Sequence, residues 1–380
     1  MLFRQIHGQE KVKASLLTLL RSGKLPHAVM FLGKAGSGDL ALALAFATHL
    51  LCEQPGEEDA CGTCKACTKM ARLIHPDLHF SFPTTGGAGA RSDEHLPRWR
   101  EALLANPFLE LEGWVRALQS EGTQLNITAN ECNRIIEKLT RSSFEADRKV
   151  LVMWLPEFLG AQGNRLLKII EEPPDETVLV FVARDADQIL PTILSRCQII
   201  HVPPFSDEAI AAALANRLGI EQGKALQIAH LVEGNMTRAL ELGGDPDFGF
   251  TEELVNWLRR CYVGQGLEIM HSVEALAAMP REAQKQFFDY GLHFLREIQV
   301  LKSVGAGARP RLMPHELKPA ENLARLLDFE QIQSMTELFS DSAYHIERNA
   351  NQKLLFLDVS LQIHQLMRRQ QVGIASAQGR

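Results

Sequence analysis

The chain has 380 residues, 46% hydrophobic and 23% charged, which suits two or three soluble globular domains with a core in each. Forty Lys and Arg against 46 Asp and Glu leave a net charge of −6, which excludes a chain built mainly as a polyanion clamp but not a local basic face. No apolar stretch reaches the roughly 20 residues that cross a bilayer, and Met1–Gln9 carries no secretory apolar core, so a cytoplasmic, thiol-reducing setting is expected.

Residues 10–22 place Val12, Leu16, Leu19 and Leu20 at helical spacing. Val29 to Leu32 is a short apolar strand that runs into a glycine-rich turn, Gly33-Lys34-Ala35-Gly36-Ser37-Gly38, followed by an Ala- and Leu-rich helix over 40–51. Strand, glycine turn and helix in that order are the context of a phosphate-binding loop. Its template puts a lysine and then a hydroxyl after the second glycine, and here Asp39 and Leu40 stand there. The lysine neutralises phosphate charge and the hydroxyl holds Mg²⁺. An aspartate about 4 Å from a phosphate charge repels it by roughly 4 kcal/mol at an effective dielectric of about 20, on the order of a thousandfold in affinity. Asp39 does suit a helix N-terminus, where a carboxylate satisfies free N–H groups and complements the dipole. Gly33, Gly36, Gly38 and Asp39 therefore read as a phosphate loop in shape without its chemistry, and no bound ATP is expected.

Cys52, Cys61, Cys64 and Cys67 follow in the pattern C-x8-C-x2-C-x2-C, apart from the scattered Cys132, Cys197 and Cys261. Four thiolates so close meet the tetrahedral demand of a structural zinc ion. Gly62-Thr63 allow the turn, and Lys65 and Lys69 would offset the charge. With every position a cysteine, no place is left for a catalytic water. An iron–sulfur cluster is also held by four thiolates and stays open as an alternative; four unmetallated thiols fit this density less well.

Pro83 to Ser92 has no hydrophobic period and reads as a mobile loop. Residues 129–140 read as a helix, and Lys149–Leu155 and Thr177–Val182 as buried strands. A helix is expected between them over Gly163–Glu172, stopped by Pro173-Pro174. Where an ATPase strand would end in an acidic pair for Mg²⁺, this one reads Trp154-Leu155-Pro156-Glu157, and Glu157 reads as a lone surface glutamate. Ile199–Val202 is a further short strand ended by Pro203-Pro204. The alternation implies a parallel α/β sheet with helices on both faces.

Ser206-Asp207-Glu208 is an N-cap with an acidic first turn, and the pattern beyond is all helical. It breaks at the linker-like stretch 243–249 and again near 305–314, and the tail from Ile374 is small and polar. The expected organisation is an α/β domain over 1–205 with the cysteine module at 52–67, a small helical domain over 206–243, and a larger helical domain over 251–370.

Several motifs line up in order: Ile6-His7-Gly8-Gln9; Leu25-Pro26-His27-Ala28; the loop Gly33 to Asp39; the four-cysteine module; and His75-Pro76-Asp77. Asn164-Arg165-Leu166-Leu167-Lys168 with Glu171-Glu172-Pro173-Pro174, Leu190-Pro191-Thr192-Ile193-Leu194-Ser195-Arg196-Cys197, and Gly234-Asn235-Met236-Thr237-Arg238-Ala239-Leu240 complete the set. In this order the chain resembles the delta-prime subunit family of the bacterial DNA polymerase III clamp loader, in the AAA+ clan, most of all its Bacteroidetes-type form. The resemblance is sharp over 1–243 and generic beyond.

It implies an AAA+ α/β domain, a helical lid and an all-α collar that packs with its neighbours' collars into a five-membered ring. It also implies that Arg196, with Ser195 beside it, is donated across the interface to ATP bound by the adjacent subunit. Arginine fits that task through its permanent charge and planar fork. Taken alone, Arg196 would read as a strand-edge salt bridge. Arg238 falls at the family's second sensor position, and a structural role is expected for it here. The implied partners are the gamma/tau motor subunits and the delta subunit in a hetero-pentameric ring, the sliding clamp indirectly, and primed DNA through the assembled complex, with no membrane. The implied cofactor is structural Zn²⁺. The chain departs from the family in its segment 81–126, which is longer and richer in Pro, Gly and Trp (Trp99, Trp114). The reading is an ATPase-inactive stator in DNA replication, not an ATPase by itself. An active AAA+ ATPase is the alternative, opposed by Asp39, Leu40 and Trp154-Leu155. A zinc-dependent nucleic-acid module is opposed by the acidic Glu53, Glu57, Glu58 and Asp59.

Overall fold

The computed structural model describes residues 1–120, 122–244 and 250–377. The chain divides into two compact units, Met1–Gly244 and Asp245–Arg380. From residue 245 on, the linker-like stretch lies outside the described residues, as do the last three residues of the polar tail.

The first unit is built on five parallel strands, β1 (Ala28–Gly33), β2 (Leu78–Ser81), β3 (Lys149–Trp154), β4 (Thr177–Ala183) and β5 (Gln198–Val202), in the order β2-β3-β4-β1-β5. Ala28 pairs with Leu179 and Val150 with Val178, which aligns the carboxyl ends of the central strands. The apolar runs of β1, β3 and β4 are buried along almost their whole length, as strands covered on both faces require. On one face Met30, Leu151, Met153, Leu179 and Phe181 pack with Cys132, Ile135 and Leu139 of a helix over Ala129–Thr140. The intervening residues face the opposite way, where Phe31 meets Phe46 edge-on at 5.9 Å. Phe46 belongs to the helix over Asp39–Leu51, of which all but one residue is buried.

In chain order the helices of this unit are α1 (Glu10–Arg21), α2 (Asp39–Leu51), α3 (Lys65–Ala71), α4 (Leu96–Ala105), α5 (Leu111–Leu118), α6 (Ala129–Thr140), α7 (Leu167–Glu171) and α8 (Pro191–Leu194). After β5 come α9 (Asp207–Leu218), α10 (Gln222–Val232) and α11 (Met236–Gly243). Ser206 caps α9 by accepting the Ala209 N–H, as its sequence indicates. Two expectations need correction. The helix expected over Gly163–Glu172 is α-helical only from Leu167; Pro156–Leu166 winds as a tighter 3₁₀ run, bent at Gly160 with φ +48°. Glycine at 160 permits that bend, and Gly163 sits so close to Ile193 that a Cβ there would lie 3.0 Å from its side chain. The stretch 83–92, expected to be a mobile loop, is tied down at both ends. Thr84 exchanges backbone hydrogen bonds with Asn126, and the buried Ser92 hydroxyl both donates to Phe82 O and accepts Phe82 N–H at 3.1 Å.

The second unit is helical: α12 (Thr251–Val263), α13 (Gly266–Ala277), α14 (Arg281–Val304), α15 (Pro314–Leu326), α16 (Phe329–Glu347) and α17 (Gln352–Ala377). Its core is aromatic, with Phe288 stacked on Phe356 at 5.2 Å and Trp257 on Phe339 at 5.8 Å. Gly291 lets the Phe339 ring lie directly on α14, since a Cβ there would come within 2.6 Å of it. Thr251, Tyr290 and Glu316 satisfy one another's buried polar atoms at 2.7–2.9 Å.

Candidate functional site

The glycine turn after β1 adopts the left-handed backbone that glycine allows, with φ of +70° at Gly36 and +87° at Gly38. Asp39 is the first residue of α2, not its cap, and it is almost completely buried. One carboxylate oxygen accepts the Leu40 N–H at 2.8 Å, and the other has no hydrogen-bond partner among the described residues. Burial pushes its pKa up to about 7; Arg184 and the Leu40 N–H pull against that, while Glu157 and Glu110 add to the rise. Burial thus favours the neutral carboxyl over the charged one at this position. What is missing is the lysine and the hydroxyl at the two positions after Gly38, and the side chain at the hydroxyl's place, Leu40, is fully buried.

Trp154 ends β3 with its indole wholly buried. Glu157, expected as a lone surface glutamate, is instead half-buried. One of its oxygens accepts the backbone N–H groups of Arg184 at 2.5 Å and Asp185 at 2.9 Å, and the other is buried without a partner among the described residues. It joins the ends of β3 and β4, a role invisible in sequence because its partners lie 27 and 28 residues away. The Arg184 guanidinium sits 5.9 Å from the Trp154 ring centroid.

Arg196 and Ser195 lie between α8 and the edge strand β5, whose Gln198, Ile199 and His201 are exposed. The guanidinium is engaged within its own chain. Its Nε donates to Glu171 at 2.6 Å and its Nη1 to Thr192 O at 2.7 Å and Ser195 Oγ at 3.2 Å, yet a third of the side chain stays exposed. The salt bridge and the sheet-edge position are therefore both present. Glu171 was legible only as part of a motif, with nothing to mark it as the partner. Arg238 is exposed on α11, and its N–H is held by the Asn235 side chain. His75-Pro76-Asp77 is structural: Asp77 accepts the N–H groups of Phe144, Glu145 and Ala146 at 2.5–2.9 Å. Burial alone would raise its pKa, and those three donors outweigh it and hold the carboxyl below its ordinary value.

The four sulfurs of Cys52, Cys61, Cys64 and Cys67 lie within 4.8 Å of one another and could hold a metal ion. Cys52–Cys61 is 3.5 Å, and Cys52–Cys64 and Cys61–Cys67 are both 3.9 Å. A tetrahedron around one ion with bonds of about 2.3 Å has edges of about 3.8 Å, so these spacings suit a single ion. Backbone N–H groups of Cys61, Thr63, Cys64 and Cys67 point at the sulfurs at 3.3–3.5 Å, as thiolates require. Those of Thr63 and Cys64 draw the Cys61 thiol down to about 6. Lys69, expected to offset the thiolate charge, pairs with Glu145 at 2.5 Å instead. The module also holds the N-terminal segment, because Asp59 accepts the N–H groups of Phe3 and Arg4 at 3.1 and 3.0 Å. The other three cysteines behave as packing groups: burial pushes Cys132 up to about 11 and Cys197 and Cys261 up to about 12.

Five parallel strands in this order, a phosphate-loop turn after β1 and a helical segment after β5 define an AAA+-type α/β unit. Within that class, residues 8–206 match the family described as DNA polymerase III, delta subunit, and the chain belongs to that family. It is 26% identical over 244 residues to DNA polymerase III subunit delta' of Bacillus subtilis, covering 63% of this chain and 60% of that protein. Against subunit delta' of Escherichia coli it is 25% identical over 230 residues, covering 60% and 57%. Subunit tau of Bacillus subtilis is 25% identical over 246 residues, covering 63% and 37%. The chain thus spans less than two thirds of the length of the curated relatives it matches. Among solved structures, the DNA clamp loader delta protein of Bacillus subtilis aligns over 94% of this chain and 100% of its own, at 13% identity and a TM-score of 0.35. Among the described residues no helix is long and apolar enough to cross a membrane.

Proposed function

We propose that this chain is a non-hydrolysing subunit of a DNA polymerase III clamp loader, a stator that lends Arg196 to ATP held by a neighbouring gamma/tau motor subunit. The ring would include a delta subunit and act on the sliding clamp and primed DNA as an assembly. One contrast carries the reading: this chain's own phosphate loop has Asp39 and Leu40 in place of lysine and hydroxyl, while a partly exposed arginine stands beside an unpaired sheet edge. The Glu171 ion pair is compatible with that role, because a surface pair is worth only about 0–1 kcal/mol and a γ-phosphate offers a stronger bidentate partner. An arginine finger is worth about 10³–10⁵ in rate at the site it serves. Arg196→Ala should therefore leave ring assembly intact and lower the DNA-stimulated ATPase of the reconstituted loader several-fold. An unchanged ATPase refutes the finger.

The cysteine module is proposed to hold one structural Zn²⁺, supported by the tetrahedral sulfur spacing and the closed set of four ligands. Elemental analysis of freshly purified protein should find one zinc per chain and no iron. Stripping the metal should release the module and, through Asp59, the segment Phe3–Arg4 to proteolysis. Metal-free protein with the module still protected would contradict this.

A further inference from the structure

The phosphate loop is not an open cradle, because another part of the chain lies on it. Residues 106–110, between α4 and α5, belong to the segment the family resemblance left unexplained. Phe108 is almost fully buried there, and a Cβ on Gly38 would sit 3.6 Å from its ring. The same ring meets Phe205 edge-on at 5.8 Å and has the Arg217 guanidinium 5.2 Å from its centroid. Its carbonyl accepts the Thr237 hydroxyl at 2.5 Å. Phe205 leads into α9, Arg217 lies on α9 and Thr237 on α11, so one residue joins the phosphate loop to both helices. The loop also bonds to α11 directly, with Met236 N–H donating to Gly36 O at 3.0 Å. On the metal side, Trp99 of α4 lies 5.1 Å from Trp154, the residue where an ATPase would carry its Mg²⁺ acids.

We propose that residues 106–110 are a built-in occupant of the nucleotide's place, fixing α9 and α11 on the phosphate loop so that their arrangement is independent of ATP. An aromatic ring in contact with both another ring and a guanidinium, its carbonyl anchored on Thr237, supplies contacts between these elements that a nucleotide would otherwise make. The inference rests on the ATP-independent reading above. Its test uses this chain alone, whereas the Arg196 test reads the assembled loader, so either can fail without the other.

Hydrogen exchange of the full-length protein, resolved by peptide, tests it. Millimolar Mg-ATP should leave exchange unchanged in peptides spanning 34–40, 207–218 and 236–243; protection of any of them shows the place is open and overturns the proposal. Phe108→Ala should speed exchange about tenfold in these three peptides together, with β1, β3 and β4 unchanged. Faster exchange confined to 106–112 overturns it. If Phe108→Ala loosens the strands as well, Thr237→Val decides: about threefold faster exchange in 34–40 and 236–243 supports the link, and no change refutes it.

Discussion

Replacing Asp39 by asparagine should stabilise the protein by on the order of 4 kcal/mol at pH 8 and leave it nearly unchanged at pH 4. The folded protein holds this carboxyl at about 7, against an ordinary value of 3.8, because its charged form has lost water without gaining a full set of partners. Below about pH 4 the group is neutral in both states and costs nothing. Between about 4 and 7 the unfolded chain releases the proton while the folded chain keeps it, so stability falls as pH rises. Above about 7 the folded protein carries a buried charge and the whole penalty is present. Asparagine has nearly the same shape and no charge, and its carbonyl can still accept the Leu40 N–H. Urea unfolding of both proteins across this range measures the gap directly. A gap that does not widen with pH would show that Asp39 is solvated in the native state.

Trp99→Ala should destabilise the first unit by about 3–5 kcal/mol. Trp99 is fully buried, stacked on Phe82 at 4.3 Å, edge-on to Trp114 at 5.1 Å and tilted against Trp154 at 5.1 Å. Removing it leaves a cavity lined by three large rings, which rigid neighbours cannot collapse to fill. Pairing it with Trp154→Ala in a double-mutant cycle should show coupling of about 0.5–1.5 kcal/mol beyond area burial. A loss under about 1 kcal/mol would mean that the 81–126 segment packs loosely.

These two residues mark where sequence reasoning reached and where it stopped. The strands β1, β3 and β4 were legible because each is a continuous apolar run between glycine or proline signals. α6 was legible from its spacing, and the cysteine module from four ligands in sixteen residues. β2 is only four residues long and offers too few positions for a period. The segment 81–126 carries helices of ten and eight residues, and both they and the stretch between them serve partners far along the chain: Trp99 of α4 meets Trp154, while between the helices the Phe108 ring lies by Gly38 and its carbonyl accepts from Thr237. Trp154 read as a lost metal site, and nothing local linked that loss to the inserted tryptophans. Glu157 and Asp39 were hard to read for the same reason: the backbone N–H groups that Glu157 meets and the burial of Asp39 come about only through the sheet.

The placement of β5 carries a consequence for handling the protein. This strand is bonded on one side only, to β1, and its outer edge faces no described strand. An unpaired edge with exposed Ile199 is a template for pairing with another chain, so the surface beside Arg196 is also where copies of this chain can pair edge to edge. Pro203 and Pro204 end the strand after five residues and deny a longer run of donors.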